Sequence, residues 1–140
     1  MTTLKEALKN KIKELPRSFD IIGNIAIFNN LPNNLKKQKL IANTLLKLNK
    51  NIKTVLLKTK KFSGKYRLPK FKILAGNKTK ETSHNENNCK FKLDVEKCYF
   101  SPRLANERLR ISKQIKANEV ILVMFSGIAV YPIIISRNSK

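Results

Sequence analysis

The chain has 140 residues, 41% of them hydrophobic, which is enough for one core-forming domain or slightly more. Thirty Lys and Arg against nine Asp and Glu give a net charge of +21, which favours a polyanionic partner, nucleic acid ahead of an anionic membrane. Solvated lysine-rich faces are the alternative, because Lys and Asn are abundant throughout. Two cysteines and one histidine exclude a zinc site and a disulfide framework. With no apolar signal segment at the N-terminus, we expect a cytoplasmic protein.

Apolar spacing predicts the elements of the first half of the chain. Residues 3–14 form a basic helix that ends before Pro16. Residues 19–28 form two short strands around a turn at Gly23, or one strand with a bulge there. Pro32 precedes a second helix over residues 33–48. Its predicted buried stripe is Leu40, Ile41, Leu45 and Leu48.

Strands dominate the next part of the sequence. Residues 54–58 read as a buried strand, and residues 71–74 as a half-buried one. Residues 79–84 and 90–95, joined by an Asn-rich turn, predict a hairpin. A helix follows over residues 104–116, with Leu104, Ile111 and Ile115 facing inward.

A basic loop is predicted between the early strands and the hairpin, over residues 58–67. It contains three candidate RNA-binding cations, Lys58, Lys60 and Lys61, and the aromatic Tyr66. Single-stranded RNA needs cations for its phosphates and flat rings for its unstacked bases, so this loop is a candidate RNA contact. The alternative is an ordinary exposed loop whose aromatic residues pack into the core.

An apolar run lies close to the C-terminus. Residues 119–125 predict a buried strand of the parallel type, and Ser126-Gly127 predicts the turn after it. A strand, a glycine turn and a further apolar segment resemble the first step of a nucleotide-binding sheet. The run from Val120 to Ile135 is shorter than the ~20 residues needed to cross a bilayer, so a membrane anchor is the less favoured alternative.

Taken in order, these segments resemble the archaeal and eukaryotic tRNA guanine-37 N1-methyltransferase family, whose close relative makes the wybutosine side chain. The most specific stretch is Tyr99-Phe100-Ser101-Pro102-Arg103-Leu104, followed by Glu107-Arg108. The other matching stretches are residues 15–26, 64–67, 74–76, 82–87 and 120–127. The resemblance extends over about residues 12–135.

The resemblance implies an enzyme that methylates guanine N1 beside the anticodon, with tRNA as substrate and S-adenosylmethionine as donor. It implies that Glu107 is the general base and that Arg67 contacts the guanine O6 atom. Tyr99 and Arg103 match residues that line the same site. On the donor side, the match implies roles for Arg108, Phe125 and Gly127. No metal is implied.

Elementary chemistry fits these implied roles. Guanine N1 carries a proton, so a carboxylate must remove it, and that base works best with a pKa raised by partial burial. An arginine near O6 stabilises the negative charge that develops there. The alternative is ion pairing on a helix surface, because Glu107 lies four residues after Arg103 and three residues before Arg110.

We therefore expect an α/β protein in three parts. These are an N-terminal basic helix (1–14), an α+β RNA-binding domain (15–117) and the start of a Rossmann-like donor domain (118–140). The family's Asp and second Gly near its glycine turn are replaced by Val123 and Ala129. A donor sheet needs further strands, so we expect either that a second polypeptide supplies them as a partner or that the chain is a truncated product. The alternatives are a non-catalytic RNA-binding module and part of a wybutosine-synthesis aminocarboxypropyltransferase.

Overall fold

The computed structural model describes residues 3–9, 12, 15–16, 18–63 and 68–138, with the side chains of residues 60–63 left out of the description. The helices are α1 (Leu4–Leu8), α2 (Leu35–Leu48), α3 (Ala105–Ser112) and α4 (Val130–Asn138), and a 3-10 turn at Pro102–Leu104 leads into α3. The strands are β1 (Asp20–Ile22), β2 (Ile25–Phe28), β3 (Thr54–Ser63), β4 (Leu68–Gly76), β5 (Glu81–Glu86) and β6 (Cys89–Asp94). The expected mixed α/β class is confirmed.

A four-stranded sheet in the order β1-β2-β3-β4 forms the middle layer. β2 and β3 are parallel and α2 is the crossover between them, whereas the other neighbouring pairs are antiparallel. Helices α1 and α2 cover one face, where Phe28, Ile41 and Val55 are buried together. The β5–β6 hairpin and α4 cover the opposite face around Ile25, Leu56 and Ile134. The two cores share the central sheet.

The predicted turn at Gly23 is confirmed, and it docks onto the hairpin. Gly23 has a φ of +56°, which favours glycine, and its N–H donates to His84 Nδ1 at 3.1 Å. The next N–H, that of Asn24, donates to Thr82 Oγ1 at 3.1 Å. A Cβ at Gly23 would overlap the Ser83 carbonyl oxygen and Thr82 Oγ1. The turn therefore fixes the hairpin against the edge of the sheet.

Helix α2 forms close to the predicted bounds. Its N-cap is Asn34, whose side-chain oxygen accepts from the Lys37 N–H at 3.1 Å. Two members of the predicted buried stripe, Ile41 and Leu45, are buried as expected. The other two, Leu40 and Leu48, are exposed, and the stripe is completed by Gln38 and Ala42 instead.

The hairpin and the preceding strand differ from expectation in extent. The hairpin turn is at Asn87 and Asn88, which have φ values of 48° and 61°. β3 continues to Ser63, so residues 58–63 are strand and the prediction of a loop there is wrong. Pairing with β4 explains the extension, and the Thr59 hydroxyl adds a bond to the Lys70 carbonyl at 3.1 Å.

Residues 119–125 do not form the predicted strand. They lie in irregular chain and turns, and Val120 and Phe125 are fully exposed. A strand needs a neighbour to satisfy its backbone groups, and the described residues offer no partner strand to this run. The apolar residues after it form α4, which packs on β6 and α3. Within the described residues, none of the helices is long and apolar enough to span a membrane.

Arg108 fixes α3 to the hairpin. The side chain is 3% exposed, and its Nη1 donates to Glu86 Oε1 at 2.6 Å while Nη2 donates to the Ser101 carbonyl at 3.0 Å. Its guanidinium carbon lies 5.0 Å from the centre of the Phe100 ring and 5.7 Å from that of Tyr131. The buried residues of α3 are thus Arg108 and Ser112, and the predicted stripe of Leu104, Ile111 and Ile115 is only partly buried.

We expect Gly23→Ala to lower the free energy of unfolding by about 2–4 kcal/mol, because it adds both a left-handed alanine and a steric overlap. Gly127→Ala is the matched control, since Gly127 has a φ of +58° and nothing within 4 Å of an added Cβ. We expect Gly127→Ala to lower the free energy of unfolding by only about 1–2 kcal/mol. Urea unfolding of both variants measures the difference, and equal losses would contradict the docking role of the turn.

We expect Arg108→Met to destabilise the chain by about 3–5 kcal/mol, because it leaves the Glu86 carboxylate buried without its partner. Arg110→Met removes an arginine of the same helix whose ion pair is on the surface, so its unfolding midpoint should hardly move. Chemical denaturation followed by circular dichroism compares the two. A small effect of Arg108→Met would show that the pair does not hold α3.

Candidate functional site

A groove of about 210 Å³ opens on the hairpin side of the central sheet. It lies between strands β1 to β4 and the segment that precedes α3, and its polar lining includes Asp20, Asn29 and Lys58. Its apolar lining includes Phe71, Phe100 and Pro102. Tyr99 is also part of the wall and is 49% exposed. An apolar groove with a few convergent polar groups is the usual form of a small ligand site.

Two of the predicted substrate-binding residues meet in this groove. Lys58 and Tyr99 both line it, although Lys58 comes from β3 and Tyr99 follows the hairpin. Burial lowers the pKa of Lys58, and the nearby Asp20 carboxylate opposes that shift by favouring the charged amine. The groove therefore combines an aromatic ring, a cation and a carboxylate.

Arg103 lies beside the groove and is held by Asp20. Its Nε donates to Asp20 Oδ1 at 2.8 Å, although the two residues are 83 positions apart in the chain. The carboxylate raises the pKa of the Arg103 guanidinium. Asp20 was missed as a site residue by sequence reasoning. The available signal was its place in Ser18-Phe19-Asp20, one of the stretches that resemble the methyltransferase family.

Glu107 is on the surface of α3, and its partner is Arg110. Both carboxylate oxygens accept from that guanidinium, at 2.8 and 2.7 Å. These hydrogen bonds lower the pKa of Glu107, so the expectation of a raised pKa is wrong for the chain as described. The ion-pair alternative is confirmed for Glu107 with Arg110. It is wrong for Arg103, which bonds to Asp20 instead of Glu107.

The three predicted donor-site residues do not come together in the described structure. Arg108 is buried in its pair with Glu86, whereas Phe125 is fully exposed. Gly127 has open space around its Cα. As placed, these three residues do not form a site for a nucleoside-type donor, since Arg108 is buried, Phe125 is in solvent and Gly127 has nothing within 4 Å of its Cβ position.

A buried cluster of charged and polar groups lies behind the site. His84 Nε2 is 3.3 Å from Glu86 Oε2, close enough for electrostatic attraction but without hydrogen-bond alignment. Because Nδ1 of the same ring accepts from Gly23, the neutral ring carries its proton on Nε2, facing Glu86. The cluster thus joins the turn at Gly23 to α3 through His84, Glu86 and Arg108. Across the described ranges, His, Cys, Asp and Glu form no group suited to a metal.

Four predicted site residues cannot be placed. Arg67 and Tyr66 lie outside the described residues, as do the side chains of Lys60 and Lys61, which belong to β3. Their roles remain predictions.

Family models match almost the whole sequence. Residues 2–79 match the TYW2 N-terminal domain, and residues 82–140 match the TRM5/TYW2 methyltransferase domain. The first of these matches includes the central sheet with α1 and α2, and the second includes the hairpin, α3 and α4.

Individual relatives agree with the family models. The chain is 46% identical over 123 residues to Taw22 of Nanoarchaeum equitans, a tRNA (guanine(37)-N(1))/4-demethylwyosine(37)-methyltransferase, covering 88% of this chain and 40% of that protein. The crystal structure of Trm5b from Pyrococcus abyssi matches with 41% identity and a TM-score of 0.80, covering 91% of this chain and 39% of that one.

A structure of aTrm5 in complex with tRNALeu matches with 29% identity and a TM-score of 0.86, covering 99% of this chain and 43% of that one. The chain thus spans well under half the length of these three relatives. The two family models and the three relatives all identify the same protein family. The chain belongs to the TRM5/TYW2 methyltransferase family, and it comprises the N-terminal domain with a segment of the methyltransferase domain.

Proposed function

We propose that this chain binds the anticodon loop of tRNA and presents guanine 37 for methylation at N1, as part of a cytoplasmic S-adenosylmethionine-dependent methyltransferase. The observation that carries the proposal is the groove, where Lys58, Tyr99 and the Asp20–Arg103 pair meet. Family membership and the net charge of +21 support it. A relative in complex with tRNALeu supports tRNA as the partner.

The groove has the properties that an unstacked base requires. The half-exposed Tyr99 ring offers a stacking surface, and phenylalanine and proline side chains form part of the apolar lining. Its volume is below the ~300–1,000 Å³ that is typical of drug-sized ligand sites, so it suits a single planar base. A base in an anticodon loop leaves its stack at a cost of only a few kcal/mol.

Glu107 is the proposed acceptor of the guanine N1 proton. Because Arg110 lowers its pKa, the carboxyl is ionised at neutral pH and has free capacity to accept a proton. Its side chain is 41% exposed, so a base can reach it. A low pKa weakens a base, and so proton transfer requires that RNA binding draw Arg110 away or exclude water from the carboxylate. A phosphate group of the RNA beside Arg110 would draw that guanidinium away from Glu107.

The donor enters this proposal only as a reactant that other parts of the enzyme bind. In the family that the chain resembles it is S-adenosylmethionine, but in the described structure Arg108 is buried, Phe125 is fully exposed and Gly127 has open space around it, so these three residues do not form a site for it. The proposed contribution of this chain is therefore RNA binding, base positioning and proton acceptance. The part of the relatives that this chain does not span would bind the donor, on the same or on a second polypeptide.

A second candidate is aminocarboxypropyl transfer to a modified base at the same nucleotide. The observation that favours it is the match of residues 2–79 to the TYW2 N-terminal domain. The same groove would then accept a modified guanine base in place of guanine. The two candidates differ in the group that is transferred and in the RNA that is accepted as substrate.

The local electrostatics of Glu107 can be tested without a donor. We expect Arg110→Gln to raise the pKa of the Glu107 carboxyl towards its ordinary value, because the hydrogen bonds that lower it are removed. Carbon-13 NMR titration of the labelled side chain measures this in both proteins. Lys113→Gln is the control, since that exposed lysine on the same helix end has no ion pair with Glu107 among the described residues. An unchanged pKa after Arg110→Gln would contradict the pairing.

The enzymatic role can be tested in a chimera. Residues 1–140 replace the matching segment of Trm5b from Pyrococcus abyssi, and transfer of labelled methyl to a tRNA transcript with guanine 37 is measured. We expect the chimera to be active and Glu107→Gln to lower its rate by about 10²–10⁴-fold, the usual contribution of a general base. Glu81→Gln, at an exposed carboxylate on the hairpin, should leave the rate unchanged.

Binding of tRNA is measured for each chimera by fluorescence anisotropy. If the chimera binds tRNA but Glu107→Gln transfers methyl as fast as the parent, Glu107 is not the base. If the chimera binds the donor but not tRNA, the proposed RNA-binding role fails. Mass spectrometry of the product nucleoside checks that the methyl group is on N1 of guanosine, as the first candidate requires.

A further inference from the structure

The acidic residues are distributed very unevenly along the chain. Residues 21–80 contain 14 Lys and one Arg but no Asp or Glu, whereas the remaining 80 residues contain 15 cations and all nine acids. The cations are thus spread over the whole chain, and only the acids are concentrated. A general preference for lysine explains why the cations are spread over the chain, but it does not explain why residues 21–80 have no acids. The candidate site uses Lys58 of this stretch but does not account for the absence of acids from the rest of it.

In three dimensions, the acid-free stretch forms α2 of the helical layer and most of the central sheet. On α2, Lys36, Lys39, Asn43 and Lys47 are exposed and spaced three or four residues apart, so they lie in one row along the helix. From β4, Lys70 and Lys72 are exposed on the same side of the sheet, since Lys72 pairs with Leu57, which packs against the α2 core. We call these five lysines and Asn43 the basic face.

Within the described part of the chain, carboxylates compensate the lysines of the basic face only slightly: Lys70 helps to lower the pKa of Glu96. Among the described residues, no ion pair involves any of these five lysines. The carboxylates that do form pairs are Asp20, Glu86, Asp94, Glu96 and Glu107. On the α1–α2 layer the one described carboxylate is Glu6, and it bonds to the Thr3 N–H in the capping box of α1.

We propose that the basic face binds the phosphate backbone of a duplex stem of the same RNA whose loop enters the groove. The inference rests on the proposed function and names a second contact surface for its substrate. The groove opens on the hairpin side of the sheet, as its lining residues Ile22 and Phe71 belong to that core, so the two surfaces lie on opposite faces. A folded RNA with a loop and a stem can reach both, whereas a short single strand cannot.

The geometry of the face suits a regular array of phosphates. The row from Lys36 to Lys47 is about 16 Å long at 1.5 Å per residue, which is enough to span several phosphates. It carries no aromatic residue for stacking on bases, so the contact is to backbone and carries no sequence preference. Helix α2 also carries the exposed residues Leu35, Leu40 and Leu48, which makes an anionic membrane the competing partner that the test must separate.

The test compares two triple variants of the full chain that lose the same charge. In one, Lys36, Lys39 and Lys47 become Gln. In the other, three exposed lysines of the acid-containing half become Gln, at Lys90, Lys92 and Lys113. Binding to an unmodified tRNA transcript is measured by fluorescence anisotropy over a range of KCl concentrations. For the basic-face variant we expect the slope of log affinity against log salt to become shallower by about 2–3, because about three phosphate contacts are lost.

The control variant should change that slope by less than about 1. Equal changes in both variants would overturn the proposal, because net charge alone would then account for binding. So would binding of anionic phosphatidylserine vesicles that depends on Lys36, Lys39 and Lys47 while tRNA binding does not. The expected loss is the same for transcripts with guanine or adenine at position 37, and this separates the face from the groove. If the chimera lacks transferase activity but this difference in slopes remains, the proposed chemistry fails while the surface stands.

Discussion

Burying the Arg108 guanidinium is the constraint on which the positions of the other candidate residues depend. A charge taken out of water depends on its partners, and this one has the Glu86 carboxylate, the Ser101 carbonyl and two aromatic rings, while its Nε is buried without a hydrogen-bond partner among the described residues. Those partners come from the hairpin, from the segment before α3 and from α4. One side chain thereby fixes the start of α3 relative to the sheet. Arg103 reaches the surface beside the groove, and Glu107 reaches the surface of α3, because Arg108 is held inside.

Sequence patterns predicted the parts of the fold that local rules govern. The Gly23 turn, the Asn87-Asn88 turn and helix α2 all form, because each depends on conformational preferences or apolar spacing within a few residues. The orientation of α3 could not be predicted in this way. Glu107 and Arg108 are adjacent charged residues, and both are expected on the surface. Only the carboxylate of Glu86, 22 residues earlier in the chain, makes it favourable to bury the second of them.

The apolar run at residues 119–125 shows a different limit. Its composition is that of a buried strand, but a strand is stable only when a neighbouring strand accepts and donates its backbone hydrogen bonds. The described residues provide no such neighbour for it, and the run is left in irregular chain with Val120, Leu122 and Phe125 exposed. The composition of a segment shows which secondary structure it favours. Whether a strand forms depends on a neighbouring strand with which it can pair. The same reasoning applies to the candidate site, where Asp20 and Arg103 were brought together by tertiary structure across 83 residues.

Charges in ion pairs act over shorter distances than charges without a partner. Among the described residues, ion pairs lie around the groove, whereas lysines outside ion pairs lie on the α2 side. Around the groove, each described ion pair is a contact at 2.6–3.6 Å that sets the direction of a side chain and cancels most of the field beyond it. On the α2 side, cations without carboxylate partners project a field over about a Debye length, roughly 8–10 Å at physiological salt. The ion pairs around the groove suit recognition of one base, and the cations on the α2 side suit attraction of a polyanion from solution. Adding carboxylates to the helical layer would therefore slow RNA association without altering the groove, whereas breaking the Asp20–Arg103 pair would alter the groove without reducing long-range attraction.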